Sequence, residues 1–95
     1  MSRSTFIDGI LGRPRNRTAA SLWQITRDVA CAYDVGADII RSKVRRHNIA
    51  HPRQEAMRRA DLAGFTSSEI GRFFSRDHTT VIHGIKAATS RMAAE

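Results

Sequence analysis

The chain has 95 residues, with 16 Lys and Arg against 9 Asp and Glu, and its formal net charge at pH 7 is +7. This length suffices for one small domain with a modest core and excludes a second independent domain. The single cysteine excludes an internal disulfide, and no stretch reaches the apolar length of a membrane-spanning helix.

The basic residues are strongly biased towards arginine, which accounts for 14 of the 16. The planar, forked guanidinium suits phosphates and guanine edges better than simple solvation of a surface requires. The composition therefore predicts a polyanionic partner, and it favours nucleic acid over an anionic membrane. Cys31 is expected to be a small buried residue of a cytoplasmic, reducing compartment.

Residues 1–17 form a first segment that carries four arginines against one acidic residue. Glycines and a proline break any long helix there, so a flexible basic arm is predicted. Its apolar residues are Phe6, Ile7, Ile10 and Leu11. They could form a short amphipathic turn that docks on the domain, on another protein or on a second copy of the chain. A disordered tail is the open alternative.

Apolar residues at spacings of three and four predict an all-α domain over residues 18–95, a compact bundle with no strand pattern. The first helix is expected over residues 19–33 and the second over residues 37–42. The residues expected to be buried in these two helices are Leu22, Ile25, Val29, Tyr33, Ile39 and Ile40. Trp23 is expected at the edge of the core.

A basic connection is predicted over residues 43–51, before a third helix that starts at Pro52 and stops at Gly64. Residues 41–53 include no acidic residue. The basic and imidazole side chains of this span are Arg41, Lys43, Arg45, Arg46, His47, His51 and Arg53. Repulsion between them is relieved when phosphates lie against the span, and an arginine can enter a narrow minor groove. A solvated basic loop is the alternative.

Two further helices are predicted on either side of a three-residue connection. Thr66 and Glu69 form a capping box that starts the fourth helix, which ends at Phe74. Asp77 is a suitable N-cap for the fifth helix. The residues expected in the core from the last three helices are Ala56, Met57, Ala60, Ala63, Ile70, Phe73, Phe74, Val81, Ile85, Ala88 and Met92. The short connection is typical of a helix-turn-helix, whose second helix enters the major groove.

The fifth helix begins with His78, Thr79 and Thr80, so small hydroxyl groups and an imidazole stand at its front end. The side chains opposite its apolar side are Thr79, His83, Lys86 and Ser90. The helix is therefore predicted to contact another molecule with its front end and this polar face.

No metal site, cofactor or catalytic centre is predicted. The histidine pairs, 47 with 51 and 78 with 83, lack the spacing of metal ligands, and one cysteine cannot complete a zinc site. Nucleophilic catalysis would need a cysteine or serine beside a histidine, whereas Cys31 is expected to be packed inside the domain.

The run RDHTTVIH, from Arg76 to His83, resembles a highly specific motif of DnaA domain IV. This domain is the C-terminal DNA-binding part of the bacterial chromosomal replication initiator. Three more matches to the family occur in the same order and at nearly the same spacing as in its members. They are Val29-Ala30 with Tyr33, Pro52-Arg53-Gln54, and Glu69-Ile70-Gly71. The resemblance covers residues 25–92.

The resemblance implies a Trp-repressor-like helix-turn-helix that binds double-stranded boxes of the type TTATNCACA. His78, Thr79 and Thr80 would contact bases and phosphates, and Asp77 would assist a base contact. Arg45 would enter the minor groove. The full set of DNA-binding residues that it implies is Lys43, Arg45, Arg46, Arg53, Gln54, Arg76, Asp77, His78, Thr79, Thr80, His83 and Lys86.

The chain carries no Gly-x-x-x-x-Gly-Lys-Ser/Thr loop, so a stand-alone domain without nucleotide, ATPase or other enzymatic activity is expected. It would compete with the initiator, regulate replication initiation or regulate transcription. Val44, Asp61 and Ser75 depart from the family pattern, and a relaxed or altered sequence preference is expected from them. The alternative is an interaction adaptor or dimerising module that uses the arm and binds DNA non-specifically.

Overall fold

Five helices make up the part of the chain that the computed structural model describes, residues 19–43 and 46–94. They are α1 (Ala19–Tyr33), α2 (Ala37–Arg41), α3 (His47–Leu62), α4 (Ser67–Phe74) and α5 (His78–Ala94). No strand occurs in these two ranges, and the prediction of an all-α fold is confirmed. The arm, with Phe6, Ile7, Ile10 and Leu11, lies outside the described residues, as do Val44 and Arg45.

Helix α3 lies at the centre of the fold, with α5 and α1 packed along it and the shorter helices α2 and α4 filling the remaining sides. The core residues are Leu22, Val29, Ala30, Ile40, Ala56, Met57, Ala60, Phe65, Ile70, Phe73, Phe74 and Val81. Each large aliphatic or aromatic side chain buried there contributes about 1.5 to 3 kcal/mol. Trp23 lies at the core edge, as predicted, with its ring perpendicular to that of Phe73.

Four residues that were expected in the core are exposed: Cys31, Tyr33, Ile39 and Met92. Cys31 lies on the side of α1 opposite to that of the buried Val29. Tyr33 and Met92 line an open cleft rather than a closed core. In the five-residue helix α2, Ile40 occupies the side that faces the core, and this leaves Ile39 in solvent.

The third helix starts at His47, five residues earlier than predicted, and Pro52 lies inside it. The amides of Ile49 and Ala50 both donate to the Arg46 carbonyl, so the first turn is complete before the proline. Pro52 lacks the N–H that would bond to the carbonyl of residue 48, which ordinarily disfavours a helix. Burial of both the Pro52 ring and Ile49 outweighs that lost bond. The predicted basic connection is therefore shorter than residues 43–51.

The boundaries of α4 follow the sequence signals closely. Thr66 Oγ1 accepts from the Glu69 amide at 3.1 Å, and a Glu69 carboxylate oxygen accepts from the Thr66 amide at 2.8 Å. The predicted capping box is confirmed. Gly64 has φ 100°, which explains why the chain leaves α3 at a glycine. Within the described ranges, no helix combines the length and apolar character needed to cross a membrane.

Candidate nucleic-acid interface

The connection between α4 and α5 consists of Ser75, Arg76 and Asp77, as predicted for a helix-turn-helix. Ser75 ends α4 with φ 56° and ψ 46°, in the left-handed region, and this reverses the chain. The Arg76 amide donates to the Gly71 carbonyl at 2.8 Å. A Cβ on Gly71 would lie 2.5 Å from the Arg76 carbonyl oxygen, so only glycine allows this close approach.

Helix α5 presents its first turn and one face to solvent. It begins at His78, directly after Asp77, whose carbonyl accepts from the Val81 amide at 3.2 Å. The predicted contact residues that are exposed here are Asp77, His78, Thr79, Thr80, His83 and Lys86. Val81, Gly84 and Ala88 are buried on the opposite side. The tertiary structure thus leaves the polar face uncovered.

The connection between α2 and α3 places Lys43 and Arg46 in solvent. Arg45, the predicted minor-groove residue, lies outside the described residues. Arg41 stands just before the connection and donates from Nε to the Phe73 carbonyl at 2.6 Å. Its guanidinium also lies over the Phe73 ring, 4.5 Å from the centroid. Arg41 therefore fastens the basic connection to the end of α4.

Arg53, one of the DNA-binding residues that the resemblance implied, is buried, with only 6% of the residue exposed. Its Nε donates to the Ile40 carbonyl at 2.7 Å, and its Nη2 donates to the Ser42 carbonyl at 2.8 Å. Burial, together with the nearby positive charge of Arg76, lowers the pKa of Arg53 to about 10. At neutral pH the side chain is still a cation, and it anchors α2 to α3.

A groove of about 390 Å³ runs between α3 and α5. Its polar lining consists of Arg53, Gln54, Arg76, Thr80 and His83, and no acidic residue lines it. A Cβ on Gly84 would lie 3.0 Å from the Met57 sulfur, so the glycine lets the two helices approach closely here. The rest of the lining is apolar, from Ala50, Met57, Gly84 and Ala87. The polar part combines positive charge with hydrogen-bond donors, which suits an anionic group such as a phosphate.

Gln54 is held by a residue from the far end of α5. Arg91 Nη1 donates to the Gln54 side-chain oxygen at 2.8 Å, and Arg91 Nη2 contacts the His51 carbonyl at 3.4 Å. Sequence reasoning did not find this role of Arg91, because 37 residues separate it from Gln54 and no local pattern signals the pair. Sequence reasoning also missed the Ser42 carbonyl as the acceptor for Arg53, because a backbone acceptor leaves no pattern in the side chains.

Most of the predicted site residues that the structure describes lie near one another. Arg76 and residues of the first two turns of α5 border the groove with Gln54, and Lys43 and Arg46 lie on the neighbouring connection. Among the described residues, no group of three or more His, Cys, Asp or Glu side chains could hold a metal ion.

Comparison with known families gives one match over most of the chain. The model of the bacterial DnaA protein helix-turn-helix matches residues 22–87. This range contains the groove, the basic connection and the first half of α5. No solved structure matches the chain significantly.

Curated relatives carry the same name, chromosomal replication initiator protein DnaA. The protein from Deinococcus radiodurans is 40% identical over 73 residues, which are 75% of this chain and 16% of the relative. That from Francisella tularensis subsp. novicida is 45% identical over 67 residues, which are 68% of this chain and 14% of the relative. That from Deinococcus deserti is 35% identical over 75 residues, which are 78% of this chain and 16% of the relative.

The chain thus spans only about 16% of the length of the relatives from Deinococcus. The matched part is the DNA-binding helix-turn-helix module, and the ATPase part of the initiator is absent from these 95 residues. The chain belongs to the family of bacterial DnaA helix-turn-helix domains.

Proposed function

We propose that this domain binds double-stranded DNA at boxes of the DnaA type, with α5 in the major groove. The observation that carries the proposal is the uncovered front end of α5 beside a groove without acidic residues. Thr methyl groups suit thymine methyls, and the His78 imidazole suits base edges and phosphates. The family membership supports the same mode of docking.

The contacts divide into two kinds. His78, Thr79 and Thr80 read base edges, and Asp77 assists one of these contacts. The residues that hold the phosphate backbone are Lys43, Arg46, Gln54, Arg76, His83 and Lys86, and Arg45 enters the minor groove. Arg53 contributes by holding the basic connection in place, since two of its nitrogens donate to protein carbonyls. Phosphate contacts fix the register, and base contacts select the sequence.

In the cell, a domain that occupies such a box competes with the initiator for the site or regulates a nearby promoter. A domain bound to the box excludes the initiator from that site. The relatives are chromosomal replication initiators by name, and the proposal places this domain at the same kind of DNA site.

Fluorescence anisotropy at 0.15 M salt tests the recognition. The 95-residue chain is titrated into a labelled duplex that contains one TTATNCACA box and into a scrambled duplex of equal composition. We expect at least about 100-fold tighter binding to the box, because each mismatched base pair costs about 1 to 3 kcal/mol. Equal affinities would contradict box recognition while leaving non-specific DNA binding in place. Addition of a full-length initiator should displace the domain from the box.

A further inference from the structure

We propose that Arg91 is a positioning residue for DNA binding, which fixes the side-chain amide of Gln54 with its nitrogen available to a DNA acceptor. The inference rests on the proposed function and deepens it. It concerns a residue at the far end of α5, outside the motif that carries the family resemblance and beyond residues 22–87.

The amide orientation follows from the chemistry of the pair. A glutamine amide has one acceptor end and one donor end, and a guanidinium can only donate. Because Arg91 Nη1 lies 2.8 Å from the Gln54 oxygen, the acceptor end is the one that faces Arg91. The amide nitrogen is thereby directed to the other side, where Gln54 lines the groove. Within the described ranges, that nitrogen donates to no protein acceptor.

Arg91 lies in the last turn of α5 and reaches Gln54 from there. Besides Gln54, it contacts the His51 carbonyl, and it also lines the separate cleft with Tyr33, Arg58 and Met92. Thr79 lies in the first turn of α5, and Arg91 lies in the last turn, about 18 Å further along the helix axis. Both Nη atoms of Arg91 are engaged by groups of α3, so its effect on DNA binding is expected to act through Gln54.

The Gln54 nitrogen can only donate, so it needs an acceptor on the DNA, and the positive charge of the groove favours a phosphate oxygen. Arg53, Arg76 and His83 line the same groove, and none of its lining residues is acidic. Without Arg91, the amide rotates freely and offers either end to the DNA. An oxygen turned towards a phosphate repels it, so the fixed orientation strengthens binding.

A double-mutant cycle tests this inference. We expect Arg91→Ala to weaken box binding about threefold to tenfold, the range for one hydrogen bond. In a Gln54→Ala background, the same change should have no further effect. Arg91→Lys should retain part of the affinity, because its ammonium group also donates. Arg27→Ala, at an exposed position of α1, is the charge-matched control and should leave binding unchanged.

The salt dependence separates positioning from direct contact. If Arg91 bound a phosphate itself, Arg91→Ala would lower the slope of log K against log salt by about one and would still act in the Gln54→Ala background. That result, or wild-type affinity of Arg91→Ala, overturns the inference. Equal affinity of the unmodified chain for the box and the scrambled duplex is a different outcome, which overturns the proposed function instead. Thermal unfolding of each variant shows that the compared proteins are folded.

Discussion

Arg53 and Arg76 donate to the same acceptor, the Ser42 carbonyl, at 2.8 Å and 3.1 Å. Two like charges share one backbone oxygen, and Arg53 also holds the Ile40 carbonyl. This arrangement joins the connection after α2, the first half of α3 and the turn before α5. The basic connection and the helix-turn-helix are thereby fixed in relation to each other, and both belong to the proposed DNA interface.

The first prediction concerns the geometry of this junction. Arg53→Lys keeps the charge but replaces two donor nitrogens in a planar fork by a single one, and Arg53→Met keeps a long side chain without any donor. We expect both variants to lose about 1 to 3 kcal/mol of unfolding free energy in urea. Both should also bind the box and the scrambled duplex more weakly. If Arg53→Lys behaved like the unmodified protein, charge rather than bridging geometry would be the function of Arg53.

The second prediction separates base reading from backbone contact. Thr79→Ala should reduce the preference for the box over the scrambled duplex by about 1 to 3 kcal/mol. Arg46→Ala should weaken binding to both duplexes equally and lower the slope of log K against log salt by about one. Thr89→Ala is the matched control, because Thr89 bonds the Ile85 carbonyl within α5 and lies outside the proposed contacts. Anisotropy titrations at three salt concentrations measure both quantities, and identical behaviour of the first two variants would refute the division.

The third prediction concerns the close approach at Gly71. In most helices Gly→Ala is stabilising by about 0.5 to 1 kcal/mol. Here the new methyl would lie 2.5 Å from the Arg76 carbonyl oxygen, which is backbone and cannot move independently. Gly71→Ala should therefore destabilise the domain by about 1 to 3 kcal/mol and reduce box affinity. Exposed Ser68→Ala in the same helix is the control, and a more stable Gly71→Ala protein would show that the turn adapts.

The fourth prediction concerns Ser75, which has φ 56°. Glycine adopts this conformation without the steric cost of a Cβ, although it has more conformational freedom in the unfolded chain. We expect Ser75→Gly to raise the unfolding free energy by about 0.5 to 1 kcal/mol. Ser90→Gly, at an exposed position inside α5, should lower the unfolding free energy by a similar amount. Thermal melts of the two variants beside the unmodified chain decide the question.

The fifth prediction is a loss of stability in acid through Glu55. This buried carboxylate accepts two hydrogen bonds from Arg58 and one from Arg59, all at 2.8 to 2.9 Å. The two hydrogen bonds from Arg58, followed by the one from Arg59, outweigh burial and hold the pKa of Glu55 below its ordinary value of 4.5. A depressed carboxyl pKa stabilises the folded state above the unfolded pKa, and this contribution disappears as the pH falls through the folded pKa.

Urea unfolding between pH 7 and pH 2.5 measures this effect. Glu55→Gln should be less stable than the unmodified chain at pH 7, and the difference should shrink below about pH 4.5. Exposed Asp61→Asn controls for removal of an acidic side chain without hydrogen-bond partners in the core. A difference between Glu55→Gln and the unmodified chain that stays constant with pH would contradict the assignment.

Local signals accounted for the helix-turn-helix. The Thr66 and Glu69 capping box, the glycine at position 64 and the short connection before His78 act through neighbouring residues, so each could be identified without the fold. The exposed face of α5 follows from its helical periodicity. The same reasoning misplaced the start of α3, because a proline usually marks a first turn and the burial of Pro52 and Ile49 is a tertiary effect.

The sequence by itself therefore determined the all-α class, the family motif and the polar face of the last helix, since these depend on residues close together in the chain. Only the tertiary structure decided that Arg53 is buried on the Ile40 and Ser42 carbonyls and that Arg91 holds Gln54. These contacts join residues 11 to 37 positions apart. The physical reason is that the acceptors of a guanidinium are set by which groups lie near it in the folded chain. The sequence around a buried arginine does not distinguish it from an exposed one.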